Sequence, residues 1–181
     1  MLIIGIDPAT NTGVCVGEVG KRPILSAHRW RVAKRDALED LLGRAAFFIA
    51  DLLRTNTPDV VAIEPPVRVS TGDTSYETMV LTHSLYAVFA GITRARGIQL
   101  LRADVRTWRK YFLGAGNLKG EEAKRQAVRL CQRLGWDAPT HDAAEAAGIW
   151  LWGCSRVDPR KVQRHEPLFS GDLLDERRRH G

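Results

Sequence analysis

Residues 142–153, DAAEAAGIWLWG, constrain the fold of this chain more than any other stretch. A helix apolar on nearly every side has no face to offer water, so it must pack deep against other structure. Its small residues Ala143, Ala144, Ala146, Ala147 and Gly148 allow that structure to come close, and Thr140 stands ahead of it as an N-cap. Yet Asp142 and Glu145 lie in its first turn, three apart and therefore on one face. Acids are seldom fully buried without a partner. Something positive has to meet them there.

The rest of the chain supplies the layer this helix covers. LIIGID (2–7) is an apolar run suited to a buried strand, PATNTG (8–13) is turn chemistry, and VCVGEV (14–19) is the returning strand. ILSAHRWRV (24–32) follows the GKRP turn, so the first thirty or so residues read as an antiparallel meander. Residues 36–54 set Leu38, Leu41, Leu42, Ala45, Ala46, Ile49, Leu52 and Leu53 on one helical stripe. DVVAIE (59–64) is another buried strand, and its entry through a helix makes it parallel to an earlier one. A loop (65–75), a long helix (76–97) closed by Gly97, an edge strand (98–105), a short helix (105–114) and a charged helix (119–134) follow. The expected architecture is α/β: a mixed five-stranded sheet flanked by helices, not a doubly wound one. From Ser155 the chain turns polar, so residues 1–154 read as one domain and 155–181 as a loosely docked tail.

Charge narrows the partner. Eleven basic and three acidic residues fall between Arg94 and Arg133, a local +8 that exceeds the whole chain's +6. A concentrated positive region favours a polyanion such as nucleic acid, and a solvated helix face is the alternative. Cys15, Cys131 and Cys154 are scattered and show no CxxC spacing, which argues against a disulfide framework or zinc site and makes a reducing cytoplasm the expected compartment. The opening MLIIGIDP lacks the pattern of a secretory signal, and no apolar run reaches the ~18 residues of a membrane span.

Carboxylates also stand where two apolar runs end. Asp7 closes the first strand, and Glu64 closes the fourth, just before PP. If those strands are parallel neighbours, both acids emerge at one edge, where Asp142 and Glu145 can join them. Four carboxylates in a small volume repel one another, and the physical remedy is a divalent cation with hard oxygen ligands, Mg2+ or Mn2+ in its place. Two such ions roughly 3.5–4 Å apart can serve both the attacking water and the leaving oxygen of a phosphodiester. Each residue alone has another explanation. Asp7 can begin a turn, Glu64 can pair with an arginine, and Asp142 and Glu145 can complement the helix macrodipole.

The Asp7 strand with PATNTG, VVAIE with Glu64, and the D-A-A-E turn at 142–145 resemble the RuvC-like Holliday junction resolvases of the RNase H-like superfamily. The likeness spans about residues 2–154 and looks closest to the phage and prophage-type branch. It implies an RNase H-like fold and a four-acid metal site at Asp7, Glu64, Asp142 and Glu145, where Glu145 stands in a place commonly held by Asp. It also implies two Mg2+ ions per site and cleavage of four-way junctions to ligatable 5′-phosphate ends. The family's basic residues around a G-x-G are matched in RKYFLGAGNLKG by Arg109 or Lys110 and by Lys119, with Lys119 offsetting transition-state charge. Arg68 in the loop after Glu64, together with Arg106, Arg109, Lys110, Lys119 and Lys124, is the expected DNA-contact set. A homodimer is expected because a four-way junction has two-fold symmetry. Met79, Leu85, Val88, Phe89 and Ile92 could supply that contact or belong to the core. Trp108, Trp136, Trp150 and Trp152 read as core or interface anchors, His83 as packing, and His141 as an outward-facing first-turn residue.

Other functions fit part of this pattern. An RNA-processing nuclease of the same superfamily would use the same acids, and a non-catalytic nucleic-acid-binding relative would keep the basic surface. A sugar-kinase or actin-like protein shares the first-strand Asp and Thr/Gly turn. Such proteins duplicate the fold, and 181 residues leave no room for a second copy.

Overall fold

In the computed structural model, residues 1–31, 37–66 and 75–162 are described. Strands β1 (Leu2–Asp7), β2 (Asn11–Glu18) and β3 (Ile24–Arg29) form the antiparallel meander. Helix α1 (Leu38–Asn56) then crosses to β4 (Val60–Ile63), parallel to β1, and α2 (Tyr76–Ala95) crosses to β5 (Gln99–Arg102), parallel to β4. Three helices follow: α3 (Val105–Leu113), α4 (Gly120–Arg133) and α5 (His141–Val157). The sheet order is β3-β2-β1-β4-β5, the mixed five-stranded sheet expected from sequence, with β5 at an edge.

Strand alternation assigns the two faces. Ile4 and Ile6 of β1, with Val61 and Ile63 of β4, join the core beneath α1 and α2. Ile3, Val60 and Ala62 join the core beneath α3, α4 and α5. Asp7 shares the parity of Ile3 and Gly5, and Glu64 that of Val60 and Ala62. Both acids therefore belong to the face that α5 covers.

Helix α5 is seated on glycine. A Cβ at Gly13 would lie 1.9 Å from the carbonyl oxygen of Asp142, and one at Gly5 would lie 2.5 Å from that of Ala146. A Cβ at Gly17 would meet the Trp150 ring at 3.0 Å. The helix residues involved, 142, 146 and 150, are spaced four apart, so one line of α5 runs over three strand glycines. Gly153 comes close in turn, with its Cβ position 3.0 Å from Ala62 Cβ. The small residues of α5 were the visible half of this fit. Glycine inside a strand marks the other half, because it lets another backbone approach.

Several expectations change. Leu85 and Phe89 are fully buried under the sheet, with Val88 and Ile92 packed against the same core. Leu85 and Phe89 belong to the core, while Met79, Val88 and Ile92 are half-buried. His83 is exposed, with ring Nδ1 2.9 Å from the Met79 carbonyl oxygen, and does not pack in the interior. Leu38, placed on the buried stripe of α1, is 39% exposed. Helix α5 continues past Ser155 to Val157, and Val162 is buried in the core, so ordered packing passes the boundary drawn at 154. The four tryptophans expected as anchors behave so: Trp108, Trp136 and Trp150 are buried, and Trp152 packs against the same core. No helix among the described residues is long and apolar enough to cross a membrane.

Candidate functional site

Asp7 ends β1 opposite Gly13, and the turn that follows is tied down from within. Thr12 Oγ1 donates to the Ala9 carbonyl at 2.9 Å and accepts from Trp30 Nε1 at 2.8 Å, the latter bond buried. Glu64 extends the β1–β4 ladder by one residue, its N–H donating to the Ile6 carbonyl at 3.1 Å. The two strand ends are thus hydrogen-bonded neighbours, with Asp7 and Glu64 each one step beyond the Ile6–Ile63 pair. Above them α5 begins. The Thr140 hydroxyl accepts from the Ala143 N–H at 3.1 Å, the N-cap expected from sequence, and this fixes Asp142 and Glu145 in the first turn. Because the Asp142 carbonyl lies against Gly13, the first turn of α5 sits over the strand pair that carries Asp7.

The electrostatics record this gathering. Burial raises Asp7 well above the usual carboxylate range, and the charges of Glu64, Glu145 and Asp142 push it further, with Arg109 pulling the other way. Burial is also the main cause that lifts Glu64 to about 7, opposed by the hydrogen bond from Trp108 and raised again by Glu145. Glu145 is raised by burial, with Arg109 and Lys124 lowering it and Asp142 raising it. Three acids hold protons more tightly than usual, first because burial removes their water and then because too little positive charge stands beside them.

Two neighbours in α3 answer part of that shortage. The Arg109 Nη2 group donates to Glu145 Oε1 at 2.8 Å, with 16% and 7% of the two side chains exposed. Trp108 Nε1–H donates to Glu64 Oε2 at 2.5 Å. The Arg109 guanidinium also lies 5.4 Å from the centroid of the Trp108 ring, and its buried Nε has no hydrogen-bond partner among the described residues. Arg109, expected to face DNA, is turned inward to the acids. Lys124, half-buried on α4, acts on Glu145 through its charge and pairs with Glu121 at 3.5 Å. Arg106 and Lys110 on α3 and Lys119 at the N-cap of α4 are exposed, while Arg68 lies outside the described residues. His141 is exposed, as expected. Sequence reasoning missed the Trp108 contact. An aromatic at that position reads as core, and nothing local shows where its N–H points.

The donor set fits a hard divalent cation by its chemistry: four carboxylates, no sulfur, and a surplus of negative charge at the ends of two parallel strands. Among the described residues, however, no three acidic, His or Cys side chains form a ready ligand cage. Glu64 and Glu145 are each held by an α3 side chain.

These shifts have a measurable consequence. For Asp7, Glu64 and Glu145 the folded chain binds protons more tightly than the unfolded one, so its stability falls as pH rises through the window. For Glu64 that window runs from 4.5 to about 7. The lowered acids, Glu18, Glu77 and Glu122, act below it, because the stability they lend is lost only as pH falls. In EDTA the protein should lose roughly 3 kcal/mol between those limits from Glu64 alone, at about 1.4 kcal/mol per unit. Mg2+ should flatten the trend. Thermal midpoints measured across pH with and without the ion test this, and a midpoint climbing steadily to pH 7 in EDTA would contradict a crowded acid cluster.

A mixed sheet in this order, with α1 and α2 over one face and α3, α4 and α5 over the other, is the α/β fold also seen in RuvC. Solved structures similar to the chain agree. RuvC from Thermus thermophilus matches with a TM-score of 0.63 at 19% identity, over 86% of this chain and 95% of that one. The same organism's RuvC in complex with a Holliday junction substrate matches with a TM-score of 0.64 at 20% identity, over 84% and 92%. The yeast mitochondrial Holliday junction resolvase Ydc2 matches with a TM-score of 0.56 at 15% identity, over 88% and 81%. No protein-family model and no curated protein sequence matches the chain.

Proposed function

We propose that this chain is a metal-dependent, structure-selective endonuclease that hydrolyses phosphodiester bonds in branched DNA, four-way junctions above all. The observation that carries the proposal is the gathering of Asp7, Glu64, Asp142 and Glu145 at one sheet edge within a RuvC-type fold. The junction-bound Thermus RuvC, similar in fold, supports branched DNA as the substrate class.

In this reading the four acids hold Mg2+ or Mn2+. When bound, a pair of such ions supplies an activated water and relieves charge on the leaving oxygen. The protein's own residues do the rest. Asp7 and Glu64 are fixed by paired strands, and Asp142 and Glu145 by a capped helix, so the donors are placed before substrate arrives. Arg109 keeps Glu145 partly neutralised within the site. Lys124 puts positive charge beside Glu145, and Lys119, at the start of α4, stabilises charge on the scissile phosphate. Arg106, Lys110 and Arg68 contact the backbone of the junction arms. Two copies act on one junction, because its two-fold symmetry calls for paired incisions.

Incubation with a synthetic four-way junction and Mg2+ is the test. Symmetric nicks in opposed strands are expected, with much slower cutting of a linear duplex of the same sequence. Faster cutting of a structured RNA would move the assignment to an RNA-processing nuclease, and junction binding without cutting to a non-catalytic relative. Binding should also weaken with added salt. Phosphate contacts from the three exposed cations Arg106, Lys110 and Lys119 predict a log–log slope of about −3 or steeper. A flat response would remove the basic surface from the argument.

A further inference from the structure

We infer that Trp108 is a positioning residue, whose indole N–H holds the Glu64 carboxylate in the orientation that meets a divalent ion. The inference rests on the reading of the four acids as a cation centre. Glu64 stands where the β4 ladder stops, and the next two residues are Pro65 and Pro66. Proline has no N–H to donate, so the adjoining chain cannot anchor this carboxylate. A glutamate has three rotatable side-chain torsions and would otherwise spend its carboxylate over several positions.

Trp108 removes that freedom. Its Nε1 lies 2.5 Å from Glu64 Oε2. The indole nitrogen is a donor only, so the bond has one sense and favours the ionised acid, the form a cation needs. Among the described residues, no other hydrogen bond to the carboxylate is seen, so Oε1 is left for the ion. The ring itself cannot drift, because Trp108 is fully buried and a Cβ at Gly148 would come within 2.8 Å of it. Gly148 belongs to α5, the helix that carries Asp142 and Glu145. The acid from β4 is thereby registered to the acids of α5 through one rigid ring from α3. Other buried tryptophans in this chain direct their N–H groups to structural acceptors, Trp150 to the Gly17 carbonyl and Trp30 to the Thr12 hydroxyl. Trp108 spends its donor on a site acid instead.

The test separates positioning from packing. Trp108→Phe keeps an aromatic ring and deletes the N–H. Phe112→Leu, in the same core and also against Gly148, removes packing but no donor. Both should melt below the native protein. In calorimetric titration of DNA-free protein with Mn2+, only Trp108→Phe should bind more weakly, by about 10- to 100-fold, the scale for removing a partner that orients a metal ligand. In junction cleavage the same variant should need correspondingly more metal for half-maximal rate. Benzothiophene in place of the indole at position 108, with sulfur replacing N–H at nearly constant shape, gives the same readout if the phenylalanine variant folds poorly. Equal Mn2+ affinity in the Trp108 and Phe112 variants overturns the inference, and so does a native protein that takes up no Mn2+. A native protein that binds Mn2+ with the expected difference yet cuts no junction would sink the nuclease reading and leave the role of Trp108 standing.

Discussion

Asp7→Asn should abolish cleavage while making the metal-free protein more stable. The two effects have one cause. Asp7 sits where burial and the charges of Glu64, Glu145 and Asp142 all oppose its ionisation, with Arg109 pulling the other way. Its proton affinity is raised in the folded state, so ionising the group costs the folded chain stability that the unfolded chain does not lose. Asparagine keeps the shape and removes the charge. Each 1 kcal/mol recovered should raise the midpoint by about 2–4 °C for a chain of this size. Metal binding and catalysis respond in the opposite direction, because the lost oxygen charge is what the cation requires. Cleavage should fall by about 10³-fold, the scale for losing a preorganised charge-stabilising group. Junction affinity in the absence of metal should change little, since the basic surface is untouched. Melting curves in EDTA, gel-shift titration and cleavage rates together decide it. Undiminished cutting would remove Asp7 from the site, and a lower midpoint would show that its charge is satisfied rather than crowded.

Gly13→Ala should damage stability and chemistry together. The new Cβ would lie 1.9 Å from the Asp142 carbonyl oxygen and 2.4 Å from its carbon. Both are backbone atoms of a capped first turn, so no side chain can swing aside. Relief requires α5 to lift from β2, at its start, where Asp142 and Glu145 reach toward Asp7. Overpacking of this kind costs about 1–3 kcal/mol. At about 2–4 °C per kcal/mol the midpoint should drop on the order of 5 °C or more. A displacement of about 1 Å in the acids can cost a further 10²-fold in rate. Gly43→Ala is the control. It lies in α1 with open space at its Cβ position, and replacing a mid-helix glycine should raise stability by about 0.5–1 kcal/mol. If Gly13→Ala melts with the native protein, α5 does not rest on the strands as closely as its contacts require.

Much of this arrangement was legible because it is local. The meander, the crossover to a parallel strand and the capped helix at Thr140 follow from apolar period and turn chemistry within short windows. The acids stood out because each interrupts a pattern: Asp7 and Glu64 end apolar runs, and Asp142 and Glu145 open an apolar helix. Parity could have gone further. Counting from Ile3 to Asp7 and from Val60 to Glu64 puts both acids on the face of the α5 core, and the strand glycines Gly5, Gly13 and Gly17 on β1 and β2 announced a close neighbour.

By itself, then, the order of residues determined which segments are strands and helices, where the carboxylates interrupt them, and that the last helix lies deep. Tertiary structure alone decided who meets whom. It turned Arg109 inward to Glu145 and left Arg106 and Lys110 outside, aimed the Trp108 N–H at Glu64, and covered Leu85 and Phe89 with the sheet. The physical reason is range. Backbone sterics and hydrophobic period act over a few neighbouring residues, whereas a hydrogen bond or ion pair between residues 36 or 44 positions apart exists only after the chain has closed upon itself.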